Sequence, residues 1–427
     1  MSSEAATASP SAARVRRLVA FFGFIGASHY LFATPYNGYL IAFVVMLVAA
    51  ARSGRLRPGS ISITASKSGV MIAFLVASCA VTFEGGSEWR DMLRDGGVLL
   101  AFVIGRFALP AWIGSQRGKE LLHAMSFLGI IDSVVTLVSA AAAYHAGADA
   151  YSWRGEYVPV FHTWIPYLLL SNFALARLEP ARRRIYWRRA AWCVMATVAS
   201  LSRTDILLYV VLAAATAITH RRAMFASARR TATVLVAVLA AALVGYAAMG
   251  LSVVQERVDV GVSEDDPSLG WRLIEDIALL DYFDENSALT MVTGFGWGAR
   301  VPLPPGITDF DDNDSIPFLH NSFLTVMLKF GLAGLAVLAA YITSRLRFAW
   351  RMRNSDAAPW VTMGAWMLLF NLADAVTLQG LTQWAQVMFF GIGCAMLSSS
   401  HSFAPGTGPA RQRSPSPRPV LPMPASE

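Results

Sequence analysis

The sequence predicts an all-α integral membrane protein of about twelve transmembrane helices, interrupted by one large outer loop that carries short helices. Hydrophobic residues make up 55% of the chain, charged residues make up only 15%, and the mean hydropathy is +0.48. Soluble proteins of comparable length carry more charge. Apolar runs that can cross a bilayer alternate with short basic connections, and one long polar segment departs from this alternation.

The apolar runs define the predicted spans. The two short runs at 190–201 and 206–219 are either two spans that meet at a tight turn or one broken span. We predict membrane helices at 18–34, 38–52, 69–83, 97–114, 122–145, 161–178, 190–201, 206–219, 231–254, 321–343, 358–376 and 381–398. The predicted domains are a cytoplasmic N-terminal tail at 1–17, a polytopic membrane domain at 18–398 with the 255–320 loop inserted, and a disordered cytoplasmic tail at 399–427.

The distribution of basic residues orients the chain. Most of the 35 Lys and Arg residues lie in connections on the same side as the N-terminus. The positive-inside rule places that side in the cytoplasm, so both termini are cytoplasmic and the 255–320 loop lies outside. The net charge of +7 therefore reflects topology, and we expect no nucleic-acid partner. The three cysteines lie within apolar runs and form no C-x-x-C, which argues against a disulfide framework or a zinc site.

The polar loop ends at His320 and Asn321, which open an apolar helix. Half of the 28 acidic residues lie just upstream, between residues 256 and 314. The free N–H groups and the dipole of a helix N-terminus suit an anionic ligand such as a diphosphate. A neutral His320 imidazole in that field can accept a proton as a general base. The alternative is an interfacial histidine that helps to cap the helix.

Two arginines on the predicted outer side are candidate ligands for the same anion. Arg203 lies in the turn between the two short apolar runs, and its alternative role is to reach water or pair with Asp205. Arg272 lies in the loop, and its alternative role is an ion pair with Glu275 or Asp276, three and four residues further along a helix. Spacing alone favours the ion pair for Arg272.

The segment around Arg272 predicts an amphipathic helix on the outer face of the bundle. Asp266 can cap this helix, with Pro267 in its first position. Four apolar residues then recur at helical spacing and form one stripe. They are Leu269, Leu273, Ile277 and Leu280.

Two further loop motifs carry weaker signals. The glycine-rich stretch at 294–298 predicts a tight turn, because no Gly-Lys-Ser/Thr follows to form a phosphate-binding loop. The acidic run at 309–314 begins like a calcium-binding loop but has Asp314 where that loop needs glycine and His320 where it needs glutamate. We therefore predict a solvated acidic loop, no metal site and no cofactor.

Four charged residues fall inside predicted spans, where such groups face a cavity or each other. Arg106 and Asp132 are both predicted near mid-depth, where they can pair. Lys329 can reach a lipid phosphate or pair with Asp374. Structural pairing is the default expectation for all four.

The segment HNSFLTVMLKFGLAG fits the pattern H-[N/S/Q]-x9-G-x-x-[G/T/Y], with His320, Asn321, Gly331 and Gly334 in register. The chain thereby resembles the O-antigen ligase and O-antigen polymerase superfamily, and the resemblance covers most of its length. Other elements of the family pattern follow in the same order. They are a Ser-Arg turn between two spans (Ser202, Arg203), an early loop arginine (Arg272) and a Gly-x-Gly segment (Gly294, Gly296).

The resemblance implies an inverting, metal-independent glycosyltransferase in the bacterial inner membrane, with its site facing the periplasm. The donor would be a glycan on undecaprenyl diphosphate. By the family pattern, His320 would activate the acceptor hydroxyl and Arg203 and Arg272 would hold the diphosphate, with Asn321 and Lys329 in support. Arginine suits phosphate oxygens, and stabilisation of the leaving group is a large catalytic term.

The family includes two kinds of enzyme, and the residues do not separate them. A polymerase joins repeat units of O-antigen or exopolysaccharide, sometimes with a chain-length regulator as partner, and we favour it slightly. A ligase transfers the finished chain to lipid A–core. Two other classes compete with these enzymes: a polysaccharide transporter or flippase, which usually shows a two-half repeat that this sequence lacks, and a glycan-binding scaffold, which has no need of His320.

Overall fold

The computed structural model describes most of the chain and is mostly helical. The described residues are 12–31, 35–52, 72, 89–113, 118–148, 164–202, 205–206, 209–210, 267–307, 314–353, 358–377, 381 and 383–398. Outside the described residues lie 1–11, the predicted tail at 399–427, most of the predicted spans at 69–83 and 206–219, and the whole of 231–254. The last residues of the predicted N-terminal tail, 12–17, are helical and continue into the first predicted span.

Eleven helices and one short hairpin make up the described part of the chain. The helices are α1 (Ala12–Leu31), α2 (Pro35–Arg52), α3 (Trp89–Ile113), α4 (Gly118–His145), α5 (Ile165–Leu178), α6 (Arg183–Ala199), α7 (Pro267–Asp284), α8 (Ala288–Thr293), α9 (Ser322–Met352), α10 (Ala358–Thr377) and α11 (Trp384–Ser398). A 3₁₀ turn, Pro180–Arg182, precedes α6. The strands β1 (Val301–Pro302) and β2 (Ser315–Ile316) pair antiparallel.

Three of the described helices are long and apolar enough to cross a membrane: α3, α4 and α9. Shorter apolar helices occur at Asn37–Arg52, Ile165–Leu178 and Trp384–Leu397. Rows of apolar side chains on α2 and α4 are exposed, including Val45 at 60% and Val138 at 64%. Water does not favour such rows, whereas lipid does, so the described helices fit a membrane protein. The count of about twelve spans stays a prediction.

The helices form one bundle with a continuous apolar core. α4, α5 and α6 pack against one another, α10 and α11 pack together, and α10 joins the two groups through α5. α11 also packs along α3, while α1 packs against α2 and α4. Large side chains fill the interior, among them Phe22, Phe43, Tyr167, Trp360 and Phe389, all nearly inaccessible. This bundle holds the heads of α3, α9 and α11 in fixed positions.

The helix α3 begins at Trp89, eight residues before the predicted span at 97–114. Its first turns carry Asp91, Arg94 and Asp95, so a hydropathy pattern misses them. The helix then passes through a π-helical turn, Ile104–Ala108, before it ends at Ile113. The polar first turns matter because they contact the loop described next.

Lys329 and Asp374 do not form the ion pair that the sequence offered as one alternative. Lys329 pairs with Asp95 of α3 rather than with Asp374, which instead accepts a hydrogen bond from Tyr167 Oη at 2.9 Å. The guanidinium of Arg106 stacks over the Phe107 ring, 4.7 Å from its centroid. The predicted alternative of a Lys329–Asp374 pair is wrong because depth in the membrane does not determine which helices are neighbours.

Residues 267–307 and 314–321 form a small unit on the heads of α3 and α9, hereafter the loop unit. It contains α7, α8 and the β1–β2 hairpin, as predicted for a loop carrying short helices. Its own core joins Leu279 and Phe283 of α7 to Val301 of the hairpin and to Leu319 and Leu328 near the start of α9. The loop unit is therefore packed against the membrane helix that carries the predicted site.

The predicted apolar stripe of α7 faces outwards. Leu273, Ile277 and Leu280 are 60%, 46% and 55% exposed, while Leu279 and Phe283, on another face of the helix, are buried. The periodicity was right, but the stripe does not pack on the protein bundle. An outward apolar stripe is typical of a helix that lies at a membrane surface.

Candidate functional site

His320 lies at the head of α9, in a short segment that is held at several points. Asn321 is the N-cap of α9, and its Oδ1 accepts the N–H of Phe323 at 3.0 Å. The N–H of Leu319 donates to Thr325 Oγ1 at 2.9 Å, which holds the residue before His320. The predicted position of the His-Asn pair is confirmed, and Asn321 rather than His320 caps the helix.

The carboxylate of Glu275 holds His320 from two sides. Glu275 Oε1 lies 2.8 Å from His320 Nδ1, and Glu275 Oε2 accepts the backbone N–H of His320 at 2.7 Å. The Glu275 side chain is 2% exposed, whereas the His320 side chain is 35% exposed. One edge of the imidazole is thus tied to a buried carboxylate while part of the ring remains open to its surroundings.

Arg272 lies one helical turn before Glu275, so both side chains leave the same face of α7. Both Glu275 oxygens contact His320. Arg272 also acts on the neighbouring Asp276: burial and the Glu275 carboxylate raise the pKa of Asp276, and the Arg272 guanidinium opposes that shift. A guanidinium therefore lies beside the His320–Glu275 pair.

The glycines of the family pattern explain how the loop unit reaches α9. Gly331 has φ 62° and ψ −166°, which breaks the regular helix at that point. The N–H groups of Phe295 and Gly296 donate to the carbonyl oxygens of Leu328 and Lys329 at 2.8 and 3.0 Å. A Cβ on Gly331 would lie 2.2 Å from the Val292 carbonyl oxygen. The kink therefore allows the loop backbone to lie directly on the helix.

The predicted turn at 294–298 is confirmed. Gly294, Gly296 and Gly298 all have positive φ, between 76° and 87°. A Cβ on Gly294 would meet the Lys329 carbonyl group at about 2.4 Å. These glycines therefore serve close backbone contact with α9.

Lys329 belongs to a buried clamp between the loop unit and the bundle. Its Nζ lies 2.5 Å from Asp95 Oδ2, and the same oxygen accepts the N–H of Gly298 at 2.7 Å. Counted over the whole residue, main chain included, Lys329 and Asp95 are 3% and 6% exposed. A second link runs from Arg300 to Asp91 at 3.3 Å. Lys329 thus links the loop unit to the bundle through its ion pair with Asp95.

An apolar cavity lies between α3, α9 and α11 below this clamp, with about 820 Å³ of space including its open mouth. Asp95 and Lys329 lie at its polar end, and Thr325 also lines it. Phe102, Val337, Leu338, Val387 and Phe390 form its apolar wall. The cavity is therefore within two helical turns of His320 along α9.

Arg203 lies outside the described residues, but its surroundings are partly visible. The helix α6 ends at Ala199, and Leu201 takes a positive φ of 54°. Ser202 and Asp205 are buried, and the N–H of Ile206 donates to the Ser202 carbonyl at 3.0 Å. The described residues thus show that α6 ends just before the predicted Ser-Arg turn, which lies partly outside them.

Sequence reasoning missed the two acids that organise the site. Helical spacing suggests only Arg272 as a partner for Glu275, and Asp95 precedes the apolar run that predicts the span at 97–114. Asp95 could have been found from its place on the polar stripe that begins α3, whereas nothing local links Glu275 to His320, 45 residues away. Of the acidic run at 309–314, only Asp314 is described. Among the described residues there is no group of three or more His, Cys, Asp and Glu side chains arranged to hold a metal.

Comparison with known proteins agrees with the resemblance seen in the sequence. Residues 190–339 match the family described as O-antigen ligase, and this range contains Arg203, Arg272, His320, Asn321 and Lys329. No curated protein matches the chain. The described helices have the apolar character of a membrane protein. The match at residues 190–339 therefore supports a membrane enzyme of the O-antigen ligase or polymerase type.

Proposed function

We propose that this protein transfers a glycan from undecaprenyl diphosphate to a sugar hydroxyl at the periplasmic face of the bacterial inner membrane, in O-antigen or exopolysaccharide assembly. The observation that carries the proposal is the His320–Glu275 pair at the head of α9, beside Arg272. A half-exposed imidazole tied to a buried carboxylate is an arrangement suited to proton transfer. A nearby guanidinium is suited to a diphosphate.

The proposed reaction is a single inverting displacement. The acceptor hydroxyl gives its proton to His320 while its oxygen attacks the anomeric carbon of the donor sugar. The bond from that carbon to the diphosphate oxygen breaks, and undecaprenyl diphosphate leaves with the electron pair. Arg272 and, by the family pattern, Arg203 stabilise the charge that develops on the diphosphate, a role that a metal ion fills in other glycosyl transfers.

The apolar cavity supports a lipid-linked donor. It lies along the same helix as His320, is lined almost entirely by apolar side chains, and has its polar end towards the loop unit. A polyprenyl chain in this cavity would place its diphosphate near the head of α9. The positive end of the helix dipole and the capped N-terminus at Asn321 favour an anion there.

A complementation experiment tests the proposal. In a strain that lacks this gene, wild type is compared with His320→Ala, Arg272→Ala and Arg203→Ala, with membrane levels measured for each. Arg90→Ala serves as the control, because Arg90 is an exposed arginine at the start of α3. We expect the control to make normal polymer and the three site variants to lose it at normal protein levels.

The products distinguish the acceptor and the competing functions. Single capped repeat units indicate lost polymerisation, whereas long lipid-linked chains that accumulate inside the membrane indicate lost ligation to lipid A–core. Normal polymer from His320→Ala and from both arginine variants contradicts the assigned site and favours a transporter or a glycan-binding scaffold.

A further inference from the structure

The His320–Glu275 contact fixes more than the position of one side chain. Glu275 uses one oxygen for the His320 main-chain N–H and the other for ring Nδ1. Within the described part of the chain, the ring makes no second hydrogen bond, and about a third of the side chain is exposed. The nitrogen that remains for an incoming hydroxyl is therefore Nε2.

The two contacts of Glu275 are of the kind that a carboxylate makes as a hydrogen-bond acceptor. Its Oε2 accepts a main-chain N–H at 2.7 Å, which a carboxylate does more strongly than a carboxylic acid. The carboxyl group also lies at the N-terminal end of α9, where the helix dipole favours a negative charge. An ionised Glu275 can only accept hydrogen bonds, so Nδ1 carries the imidazole proton and Nε2 has the free lone pair.

We propose that Glu275 is a positioning residue for His320, and this inference rests on the proposed function. The carboxylate selects the tautomer with a basic Nε2, keeps the ring plane fixed, and stabilises the imidazolium that forms when the acceptor proton arrives. A carboxylate that orients a catalytic histidine acts in this way in other enzymes.

A purely structural role does not explain the carboxylate. A neutral acceptor is enough to satisfy a main-chain N–H. Burying a carboxylate costs desolvation free energy unless a partner charge or hydrogen bonds offset it. Glutamine has the same shape and still accepts one N–H through its amide oxygen, but it has no charge. Glu275→Gln therefore separates positioning by charge from simple structural support.

The first measurement needs no glycan. Purified wild type and Glu275→Gln are treated with diethylpyrocarbonate across a range of pH, and the modified fraction of His320 is read by mass spectrometry. The reagent attacks unprotonated imidazole. We expect half-maximal modification at lower pH in Glu275→Gln, because the imidazolium has lost its carboxylate partner. The charged groups next to Glu275 on α7, namely Arg272 and Asp276, are unchanged in both proteins. Identical modification curves would overturn the inference.

The second measurement is turnover, with the lipid-linked glycan that accumulates in the deletion strain as the donor probe. We expect kcat to fall about 10²–10⁴-fold in Glu275→Gln with the donor KM changed little, since general-base catalysis is worth about that factor. Glu275→Asp keeps the charge on a shorter side chain and should restore part of the rate. Glu285→Gln, an exposed acid just after α7, is the control and should leave the rate unchanged.

The outcomes separate this inference from the proposed function. If His320→Ala keeps its activity, the proposed function fails. If His320→Ala is inactive while Glu275→Gln keeps wild-type kcat and the wild-type pH profile, only the role of Glu275 fails. A lower thermal unfolding temperature in Glu275→Gln, with an unchanged pH profile, also rejects positioning and assigns Glu275 a structural role.

Discussion

Two acid–base pairs lie on α9, and they differ in almost every physical respect. His320 and Glu275 meet at the head of the helix, where the imidazole is 35% exposed. Lys329 and Asp95 meet nine residues further on, where both side chains are 4% exposed. The first pair joins α9 to α7, and the second joins α9 to α3 and the loop backbone. The imidazole of the first pair is exposed enough to contact a ligand, whereas both side chains of the second pair are buried.

Under the proposed function, the two parts of the family motif on α9 have different roles. The head of α9 presents a reactive side chain, while the buried stretch up to Gly331 fixes the loop unit that carries Glu275 and Arg272. A buried ion pair adds little net stability but is costly to break. Lys329 therefore affects the site through the position of the loop unit, without contact to His320.

The largest expected effect comes from breaking the buried pair on one side. Lys329→Met leaves the Asp95 carboxylate buried without its cation, which should destabilise the protein by about 3–5 kcal/mol. We expect low membrane levels and a lower unfolding temperature. The double variant Lys329→Met with Asp95→Asn should recover most of this loss, because the asparagine oxygen still accepts the Gly298 N–H. A double variant as unstable as the single one would show that the charge balance is not what stabilises the clamp.

Removing His320 should have the opposite profile. His320→Ala is expected to lower turnover about 10²–10⁴-fold and to lower the free energy of unfolding by about 1–3 kcal/mol, less than Lys329→Met, because Glu275 Oε1 loses its partner while Oε2 keeps the main-chain N–H. The measurements are glycan transfer in membranes and thermal unfolding of the purified protein. His145→Ala is the matched control, since His145 is an exposed histidine at the end of α4. Comparable loss of activity in the control would remove the special role of His320.

The sequence predicted the outline of this site but not its pairing. Alternating apolar runs predicted a helical membrane protein, and the HNSFLTVMLKFGLAG segment placed His320 at the head of a helix. Both depend on neighbouring residues in the chain, which hydropathy and capping rules describe well. The partners Glu275 and Asp95 lie 45 and 234 residues from the side chains that they contact, and only the packing of helices brings them together.

The kink at Gly331 sharpens the comparison because it directly follows the stretch of α9 on which the loop backbone docks. Gly331→Ala needs a backbone conformation that is almost confined to glycine, and it pushes a methyl group into the Val292 carbonyl. We expect a cost of at least about 2 kcal/mol and reduced transfer activity. Gly270→Ala on α7 has no atom within 4 Å of the new methyl group and should be neutral or slightly stabilising. Equal effects of the two substitutions would argue against the docking role of the kink.

The smallest expected effect concerns Asp276, which lies next to Glu275 but outside both pairs. Burial raises the pKa of Asp276, the Glu275 carboxylate adds to this shift, and the Arg272 guanidinium opposes it. A carboxyl whose pKa is higher in the folded state favours folding when protonated, so its contribution is lost as the pH rises through the folded pKa.

Asp276→Asn removes that pH dependence. The variant should match wild type below the ordinary pKa of aspartate and become slightly more stable than wild type towards neutral pH, as measured by thermal unfolding at several pH values. Asp284→Asn, an exposed acid at the end of α7, is the control and should follow wild type throughout. Because the shift arises in part from the charge of Glu275, it should shrink in a Glu275→Gln background and persist in Lys329→Met. If the pKa shift of Asp276 responds to Lys329 instead, the two pairs on α9 are electrostatically coupled. That result would contradict separate roles for the two pairs.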